Sequence, residues 1–254
     1  MSLYVLSWNM QGWSGGTKRD ALNTLVNNYI MAGDDVVVLL QECGTQNDCK
    51  LYDDHRVIWN PDLTCVNYQR DPTAKVDRCS LAILVSNNIT RFEGNFKTLE
   101  AGRVMLYFTW NGVIIATIHA PAKSDRTIPY VKRALDELRS LNKPWLLMGD
   151  FNSDPSAYNL GRYPVPLNPE VINAIQYEGA TTPKKCDMIY SRNPTQGERG
   201  TRTKCIDFAF MDTAGYFHNN IMDDTPNTKV KNTTMTDNMG NILSDHNLIG
   251  LKFA

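Results

Sequence analysis

The sequence predicts an α/β fold in which two β-sheets pack together and carry helices on their outer faces. Apolar runs of strand length recur along the whole chain, a few segments have helical spacing, and polar residues follow several of the runs. With 254 residues, 42% of them hydrophobic, the chain can bury a large core. No internal repeat or linker is visible, so we expect one domain over residues 1–254.

The first part of the chain reads as strand, helix, strand. Residues 3–8 form an apolar run, and residues 36–40 form a continuous one, as expected for a strand buried on both faces. Between them, residues 17–20 resemble a capping box and Gly33 suits a helix end. The apolar positions of this predicted helix are Leu22, Leu25, Val26, Tyr29 and Ile30.

The rest of the chain is predicted to contain a long loop, a hairpin, a second helix and six strands. Residues 60–78 are polar and rich in turn formers, which predicts a long loop, and Asn111-Gly112 is a strong hairpin signal between two apolar runs. Residues 130–141 predict a helix with Pro129 near its first turn. The predicted strands are residues 81–85, 104–110, 113–118, 145–148, 206–211 and 248–253.

Charge and hydropathy limit the classes of partner. No segment approaches the ~20 apolar residues of a membrane span. The net charge of −1 gives no general attraction to nucleic acid, which disfavours a stable DNA-binding protein. An enzyme that contacts a few phosphates and then dissociates remains compatible with this charge.

Polar residues gather in four short islands, most of which close or follow an apolar run. Polar groups at the ends of buried strands cost desolvation unless they have partners, so they are usually functional or hydrogen-bonded. A divalent metal, a phosphate and an activated water explain so many carboxylates at strand ends. The islands are residues 7–12, Gln41-Glu42, residues 149–152 and residues 244–246.

Two carboxylates are candidate metal ligands. Glu42 and Asp245 offer the hard oxygen atoms that suit Mg²⁺ or Mn²⁺. Mg²⁺ takes only one or two protein carboxylates and keeps its waters, so this pair would be enough. Taken alone, Glu42 would more simply be a strand end that faces solvent.

Two histidines and an aspartate are candidate acid–base residues. Asp207 lies within an apolar strand and needs a partner, for which His246 is the natural candidate. Asp207 would fix the tautomer of His246, whose other nitrogen would take a proton from water. His119 ends a strand, where it would bind the scissile phosphate or protonate the leaving oxygen. A structural Asp–His pair and a satisfied core histidine are the alternatives.

Five further residues are candidate phosphate or water contacts. The amides of Asn9 and Asn152 suit phosphate oxygens or water, and Asp150 suits a metal or the nucleophilic water. Arg78 and Arg103 each precede an apolar strand, and their guanidinium groups suit phosphate. The alternatives are turn residues that bond their own backbone and arginines on the surface.

The segment before Asp207 combines basic residues with two of six cysteines. Its basic side chains suit a nucleic-acid backbone, although a solvated loop is an equal alternative. No cysteine pair has the C-x-x-C spacing of a zinc site, which favours disulfides in an oxidising compartment over six reduced thiols. Cys186 and Cys205 bracket residues 187–204, and we expect them to be bonded. The basic residues are Lys184, Lys185, Arg199, Arg202 and Lys204.

These motifs together resemble the endonuclease/exonuclease/phosphatase superfamily, which includes deoxyribonuclease I. Gly-Asp-Phe-Asn at 149–152 and Ser-Asp-His at 244–246 are specific for the superfamily. Within it, the resemblance is greatest to the B subunit of cytolethal distending toxin, whose first-strand motif is similar to residues 7–12. The other matching motifs are residues 81–83, 118–120, 154–155 and 206–209.

The resemblance implies a four-layer α-β-β-α sandwich and Mg²⁺-dependent nicking of DNA. It implies His119 and His246 as catalytic histidines, Asp207 as the partner of His246, and Glu42 as a metal ligand. It also implies a secreted toxin with delivery subunits as partners and with action in a target-cell nucleus, although no signal peptide is visible. Loops 60–78 and 184–204 match nothing in the family.

Three functions compete at this stage. The first is a metal-dependent DNA endonuclease of genotoxin type, and the second is a phosphoinositide or other phosphate-ester phosphatase with the same site. The third is a binding module that has kept only the fold, against which the intact set of polar residues argues. No long apolar hairpin suggests membrane docking, which disfavours the lipid phosphatase.

Overall fold

The computed structural model describes most of the chain. The described residues are 2–12, 16–44, 62–70, 80–100, 102–154, 172–174, 186–189, 196–198, 201–204, 206–212, 215–222 and 230–254. The strands are β1 (Leu3–Asn9), β2 (Asp35–Gln41), β3 (Leu63–Arg70), β4 (Ser80–Ser86), β5 (Glu93–Glu100), β6 (Arg103–Trp110), β7 (Val113–His119), β8 (Trp145–Asp150), β9 (Ile172–Ala174), β10 (Cys186–Ile189), β11 (Gln196–Glu198), β12 (Thr201–Lys204), β13 (Asp207–Asp212), β14 (Ile221–Met222), β15 (Val230–Thr233) and β16 (Leu248–Phe253). The helices are α1 (Gly16–Met31), α2 (Ser124–Ser140) and α3 (Tyr216–Asn220).

The first sheet has the order β14-β16-β1-β2-β4-β3, and β15 also pairs with β16. At its centre, β1 runs parallel to β2, so that Asn9 lies opposite Gln41. On its other side β1 runs antiparallel to β16, with Ser7 opposite Ile249. The end of β1, the end of β2 and the segment that enters β16 therefore meet at one edge of the sheet.

The second sheet has the order β5-β6-β7-β8-β13-β10-β9. Strands β7 and β8 are parallel and place His119 opposite Asp150, and antiparallel β13 places Asp207 opposite the same Asp150. Gly149 permits this register, because a Cβ built there would lie 2.2 Å from the backbone oxygen of Ile118. A larger residue would push β7 and β8 apart next to His119 and Asp150.

The two sheets face each other across a common apolar layer. Val5, Leu39 and Ile83 of the first sheet belong to the same buried cluster as Phe108 and Leu146 of the second. The alternate residues point outwards, as the two-residue period of a strand requires. The core of the molecule is therefore the interior of a sandwich.

A helix covers the outer face of each sheet. Leu22 and Val26 of α1 are buried with the outer residues of the first sheet, and Tyr130 and Leu135 of α2 are buried with those of the second. This order of layers confirms the predicted four-layer α-β-β-α sandwich. Within the described part of the chain, no helix combines the length and apolar composition that crossing a membrane requires.

Four local predictions were wrong. The segment 184–204, predicted as a loop, contributes β10, β11 and β12. Residues 63–70, predicted as loop, form β3, because pairing with β4 satisfies the backbone of a polar segment. Helix α2 begins at Ser124 and therefore contains Pro129. Helix α1 begins at Gly16, so residues 17–20 lie within the helix rather than capping it.

Candidate active site

The polar ends of both sheets converge on one small volume. Asn9 ends β1 of the first sheet, Asp150 ends β8 of the second, and Asn9 Nδ2 donates to Asp150 Oδ2 over 2.9 Å. Asn9 Nδ2 also lies 3.4 Å from Glu42 Oε1, and the backbone N–H of Gln11 donates to Asn9 Oδ1. Asn9 is buried, so its amide is a fixed connection between the carboxylates of the two sheets.

His246 is held by Asp207. The Nδ1 atom of His246 lies 2.9 Å and 3.0 Å from the two carboxylate oxygens of Asp207, and both residues are buried. This contact places a proton on Nδ1 and directs Nε2 towards Asp150 Oδ2, at 3.8 Å, and Asp245 Oδ1, at 3.7 Å. Burial opposes the imidazolium, but the charge and hydrogen bond of Asp207 outweigh it and raise the pKa of His246 to about 9.

His119 approaches the same carboxylate group from another direction. Its Nε2 lies 3.6 Å from Glu42 Oε1 and 3.7 Å from Asp150 Oδ2. The Nε2 atoms of His119 and His246 are therefore both within 4 Å of one oxygen of Asp150. A reacting group at this point would have a proton donor and a proton acceptor within reach.

Asp150 is the electrostatic centre of the site. Complete burial and the negative charge of Asp207 raise its pKa to about 7, although His246, Asn9 and the backbone N–H of Asn152 act in the opposite direction. A raised pKa here means that the ionised carboxylate has lost its hydration and that the surrounding side chains do not fully replace it. The site is therefore suited to a positively charged group that the side chains do not supply.

The donor set fits a hard divalent cation. The ligand atoms of Asp150, Asp207 and His246 lie within 4.8 Å of one another, and Glu42 and Asp245 add carboxylates at the rim. Oxygen-rich sites of this kind suit Mg²⁺ or Mn²⁺ rather than zinc. Burial and the charge of Asp207 both disfavour the ionised form of Asp150 and raise its pKa, and a bound cation would stabilise that form.

Two site residues have unusual backbone conformations. Glu42 has φ 49° and Asn152 has φ 49°, both in the left-handed region. Asparagine tolerates this region, whereas a glutamate there is uncommon and marks local strain. The backbone N–H of Gly12 donates to the carbonyl of Glu42 and holds it in this conformation, which turns the carboxylate towards His119.

Asn152 and Arg103 have structural partners at the site. Asn152 Nδ2 donates to the carbonyl of Ala120, and its backbone N–H donates to Asp150 Oδ1. Arg103 Nη1 donates to the carbonyl of His119 over 2.8 Å. Both side chains thus position the ends of β7 and β8, and their predicted direct roles in water or phosphate binding stay predictions.

The other predicted contacts fall outside the described residues or their side chains. Arg78, Lys184, Lys185 and Arg199 lie outside, as does Cys205. Arg202 and Lys204 are described only as backbone of β12, and Cys186 only as backbone of β10.

Four residues to which sequence reasoning gave no individual role help to build the site. Ser244 Oγ donates to the carbonyl of Asn9 and accepts the N–H of His246, which joins β1 to the segment before β16. Gln41 and Thr117 connect the two sheets, and Lys18 donates to the turn after Asn9. Lys18 could have been found from its spacing, since it lies one turn before Leu22 on the buried face of α1.

Comparison with solved structures shows the same fold in several proteins. CdtB, the biologically active subunit of cytolethal distending toxin, is 20% identical, with 97% of this chain and 96% of that chain covered and a TM-score of 0.55. D. rerio TDP2 complexed with a single-strand DNA product is 16% identical, covers 100% and 99%, and has a TM-score of 0.56. An endonuclease/exonuclease/phosphatase family protein from Bacteroides thetaiotaomicron is 15% identical, covers 99% and 97%, and has a TM-score of 0.57.

The family itself is shown by sequence. A search of curated protein sequences found no match. The model of the endonuclease/exonuclease/phosphatase family, however, matches residues 6–246, from the first strand to the histidine held by Asp207. The chain therefore belongs to the endonuclease/exonuclease/phosphatase family, with the deoxyribonuclease I-like fold that the sequence predicts.

Proposed function

We propose that this protein is a metal-dependent endonuclease that hydrolyses DNA phosphodiester bonds. One observation carries the proposal: Nε2 of His119 and Nε2 of His246 both lie within 4 Å of Asp150 Oδ2, at an edge rich in carboxylates. This arrangement supplies an acid, a base and an oxygen-rich cation site around one point. The family assignment limits the chemistry to phosphate esters.

The reaction follows from the positions of the two histidines. With Nδ1 directed at Asp207, Nε2 of His246 accepts a proton from water as the water oxygen bonds to phosphorus. The P–O bond to the leaving oxygen then breaks, and His119 donates the proton that this oxygen takes up. Asn9, fixed between Glu42 and Asp150, orients a phosphate oxygen or the water.

A bound divalent cation would supply Lewis-acid stabilisation of the charged phosphate. Glu42 and Asp245 would hold it, together with Asp150. Neutralising Asp150 and Asp245 would also remove two of the charges that raise the pKa of His246, so more of the imidazole would be neutral at neutral pH, with Nε2 free to accept a proton.

The test compares two substrates. Purified protein is incubated with supercoiled plasmid and, in parallel, with phosphoinositide vesicles, each with MgCl₂ or excess chelator. We expect nicking that requires the metal and little phosphate release. Metal-dependent phosphate release without nicking would replace the endonuclease by the phosphatase, and inactivity of both would refute the proposal. His246→Ala distinguishes activity of the chain from a contaminant.

We also propose that the protein acts as the nuclease subunit of a secreted genotoxin, with delivery subunits as partners and the target-cell nucleus as its place of action. The support is the resemblance of residues 7–12 to the toxin subunit and the likeness of fold to CdtB. Introducing wild type and His246→Ala into cultured cells and counting DNA breaks tests this role. Equal break counts would contradict it.

A further inference from the structure

A buried lysine contacts the turn that is hydrogen-bonded to the candidate metal ligands. Lys18 of α1 is only 4% exposed, although lysine is among the residues least often buried. Its ammonium group donates to the carbonyl of Met10 and, over 2.9 Å, to the carbonyl of Gly12. Such a costly position needs a compensating role, because a buried charge is stable only when it is paired and hydrogen-bonded.

The turn that Lys18 holds connects three functional residues. Within it, the backbone N–H of Gln11 donates to Asn9 Oδ1, and the backbone N–H of Gly12 donates to the carbonyl of Glu42. The side-chain oxygen of Gln11 accepts the backbone N–H of Asp245. Residues 10–12 therefore fix the orientation of Asn9, Glu42 and Asp245 relative to one another.

The conformation of the turn requires such a support. Gln11 has φ 51° and Gly12 has φ 78°, so two successive residues are in the left-handed region. For a residue other than glycine this conformation is strained. The carbonyls of Met10 and Gly12 converge on one ammonium group in this arrangement, and the pairing offsets that strain.

We propose that Lys18 is a positioning residue that shapes turn 10–12 and so sets the geometry of the metal site formed by Glu42 and Asp245. The cation-binding role of Glu42 and Asp245 rests on the proposed function. Burial lowers the pKa of Lys18, while the charges of Asp245 and Glu42 partly oppose this, so its charge is close enough to act on both carboxylates.

Replacing Lys18 by an uncharged residue distinguishes two possible effects of Lys18 on the metal site: positioning of turn 10–12 and repulsion of the cation. In Lys18→Met the side chain keeps its length but loses its donor, so the two carbonyls lose their shared partner. If Lys18 only repels cations, the variant should bind Mn²⁺ more tightly. If Lys18 positions the turn, Mn²⁺ affinity measured by calorimetry should fall by about tenfold or more, the usual effect of losing a residue that orients a ligand.

A second readout does not depend on metal or substrate. The backbone N–H groups of Met10 and Gly12 donate to the carbonyls of Gln41 and Glu42, so hydrogen exchange should be slow at both positions. In Lys18→Met we expect these two amides to exchange at least about tenfold faster. Arg19→Met is the matched control, since Arg19 follows on the same helix and pairs only with the neighbouring exposed Asp20 among the contacts described.

The outcomes are distinct. Unchanged or tighter Mn²⁺ binding, with both amides still protected, would overturn the positioning role. A wild type that binds no Mn²⁺ and nicks no DNA would refute the proposed function, while the exchange measurement would still test the turn. If Lys18→Met does not fold, Gln11→Ala removes the exposed link to Asp245, and unchanged Mn²⁺ affinity there would overturn the proposal.

Discussion

Gln41 and Thr117 form a hydrogen bond across the interior of the sandwich, with Nε2 of Gln41 2.9 Å from Oγ1 of Thr117. Both side chains are buried, and Gln41 Nε2 also donates to Ser7 Oγ. Gln41 directly precedes Glu42, and Thr117 lies two residues before His119. One buried polar contact therefore connects the half of the site that holds Glu42 to the half that holds His119.

Thr117→Val should weaken this connection while keeping the shape of the side chain. Gln41 Nε2 loses one of its acceptors inside the core but keeps Ser7 Oγ, so we expect a loss of about 0.5–1.5 kcal/mol of unfolding free energy. We expect urea unfolding to show this loss, and nicking to fall less than in a histidine variant. Thr109→Val, at a partly buried position on the neighbouring strand, should change the unfolding free energy and the nicking rate little. A Thr117→Val protein as stable as wild type would contradict the importance of the contact.

His119→Ala and His246→Ala should each reduce plasmid nicking by at least about a hundredfold, the usual scale for losing acid–base catalysis. The reason is that both Nε2 atoms face Asp150. Initial rates with supercoiled plasmid measure the effect, and thermal unfolding controls for folding. Near-normal nicking by either folded variant would remove that histidine from the mechanism.

Glu42→Gln should raise the Mg²⁺ or Mn²⁺ concentration needed for half-maximal nicking. An amide is a weaker ligand than a carboxylate for a hard cation, whereas the contact from Asn9 to this side chain can persist. Glu93→Gln on the exposed edge strand β5 is the matched control. An unchanged metal requirement would exclude Glu42 from the cation site.

The metal-free protein should lose stability between about pH 6.5 and 9. The pKa of His246 is raised to about 9, above its unfolded value of 6.5, so the folded state binds more protons between these values. The stabilisation is complete below about pH 6.5 and is lost as the pH rises through 9, a change of about 3 kcal/mol. The pKa of Asp150 is raised to about 7, so the folded state also binds more protons than the unfolded state below that pH. This part of the stability is lost as the pH rises from about 4 to 7.

Urea unfolding in chelator at several pH values measures the slope of the unfolding free energy against pH. Asp207→Asn should flatten it between pH 6.5 and 9, because the charge that raises the pKa of His246 is gone. Asp136→Asn, on the surface of α2, should keep it. A pH-independent wild type would show that the pair is not charged as described.

The register of β10 with β13 contradicts the predicted disulfide between Cys186 and Cys205. Cys186 lies opposite Asp212 at the end of β13, whereas Cys205 precedes Asp207 by two residues at the start of that strand. Five strand residues span roughly 16 Å, and a disulfide needs Cα atoms roughly 4.4–6.8 Å apart. Spacing along the sequence alone could not show that the two cysteines lie at opposite ends of one strand.

The sequence identified the strands whose apolar runs are continuous, because burial on both faces leaves a clear pattern. Strand β2 and strand β8 are examples, and each carries its site residue at or next to its end. Strand β5 was missed, since its side chains are largely exposed and only pairing with β6 makes it a strand. Edge strands of this kind are specified by their neighbours rather than by their own residues.

The charged members of the site were predictable, and their supports were not. Asp207 was expected against His246 because an aspartate inside an apolar strand needs a partner, and the structure places them in contact. The sequence can place Lys18 on the buried face of α1, but it does not indicate that Lys18 contacts turn 10–12 or that Arg103 contacts the carbonyl of His119. These contacts depend on how the chain returns to itself in three dimensions.

The pairing of β1 with β16 has a consequence during protein synthesis. Trp8 Nε1 donates to the carbonyl of His246, 238 residues later in the chain. A nascent polypeptide that has emerged only as far as residue 240 carries Asp207 and Asp150 but lacks His246, the imidazole that contacts Asp207. The ribosome must therefore translate nearly the whole family domain before the proposed site is complete, so shorter nascent chains should lack the proposed activity.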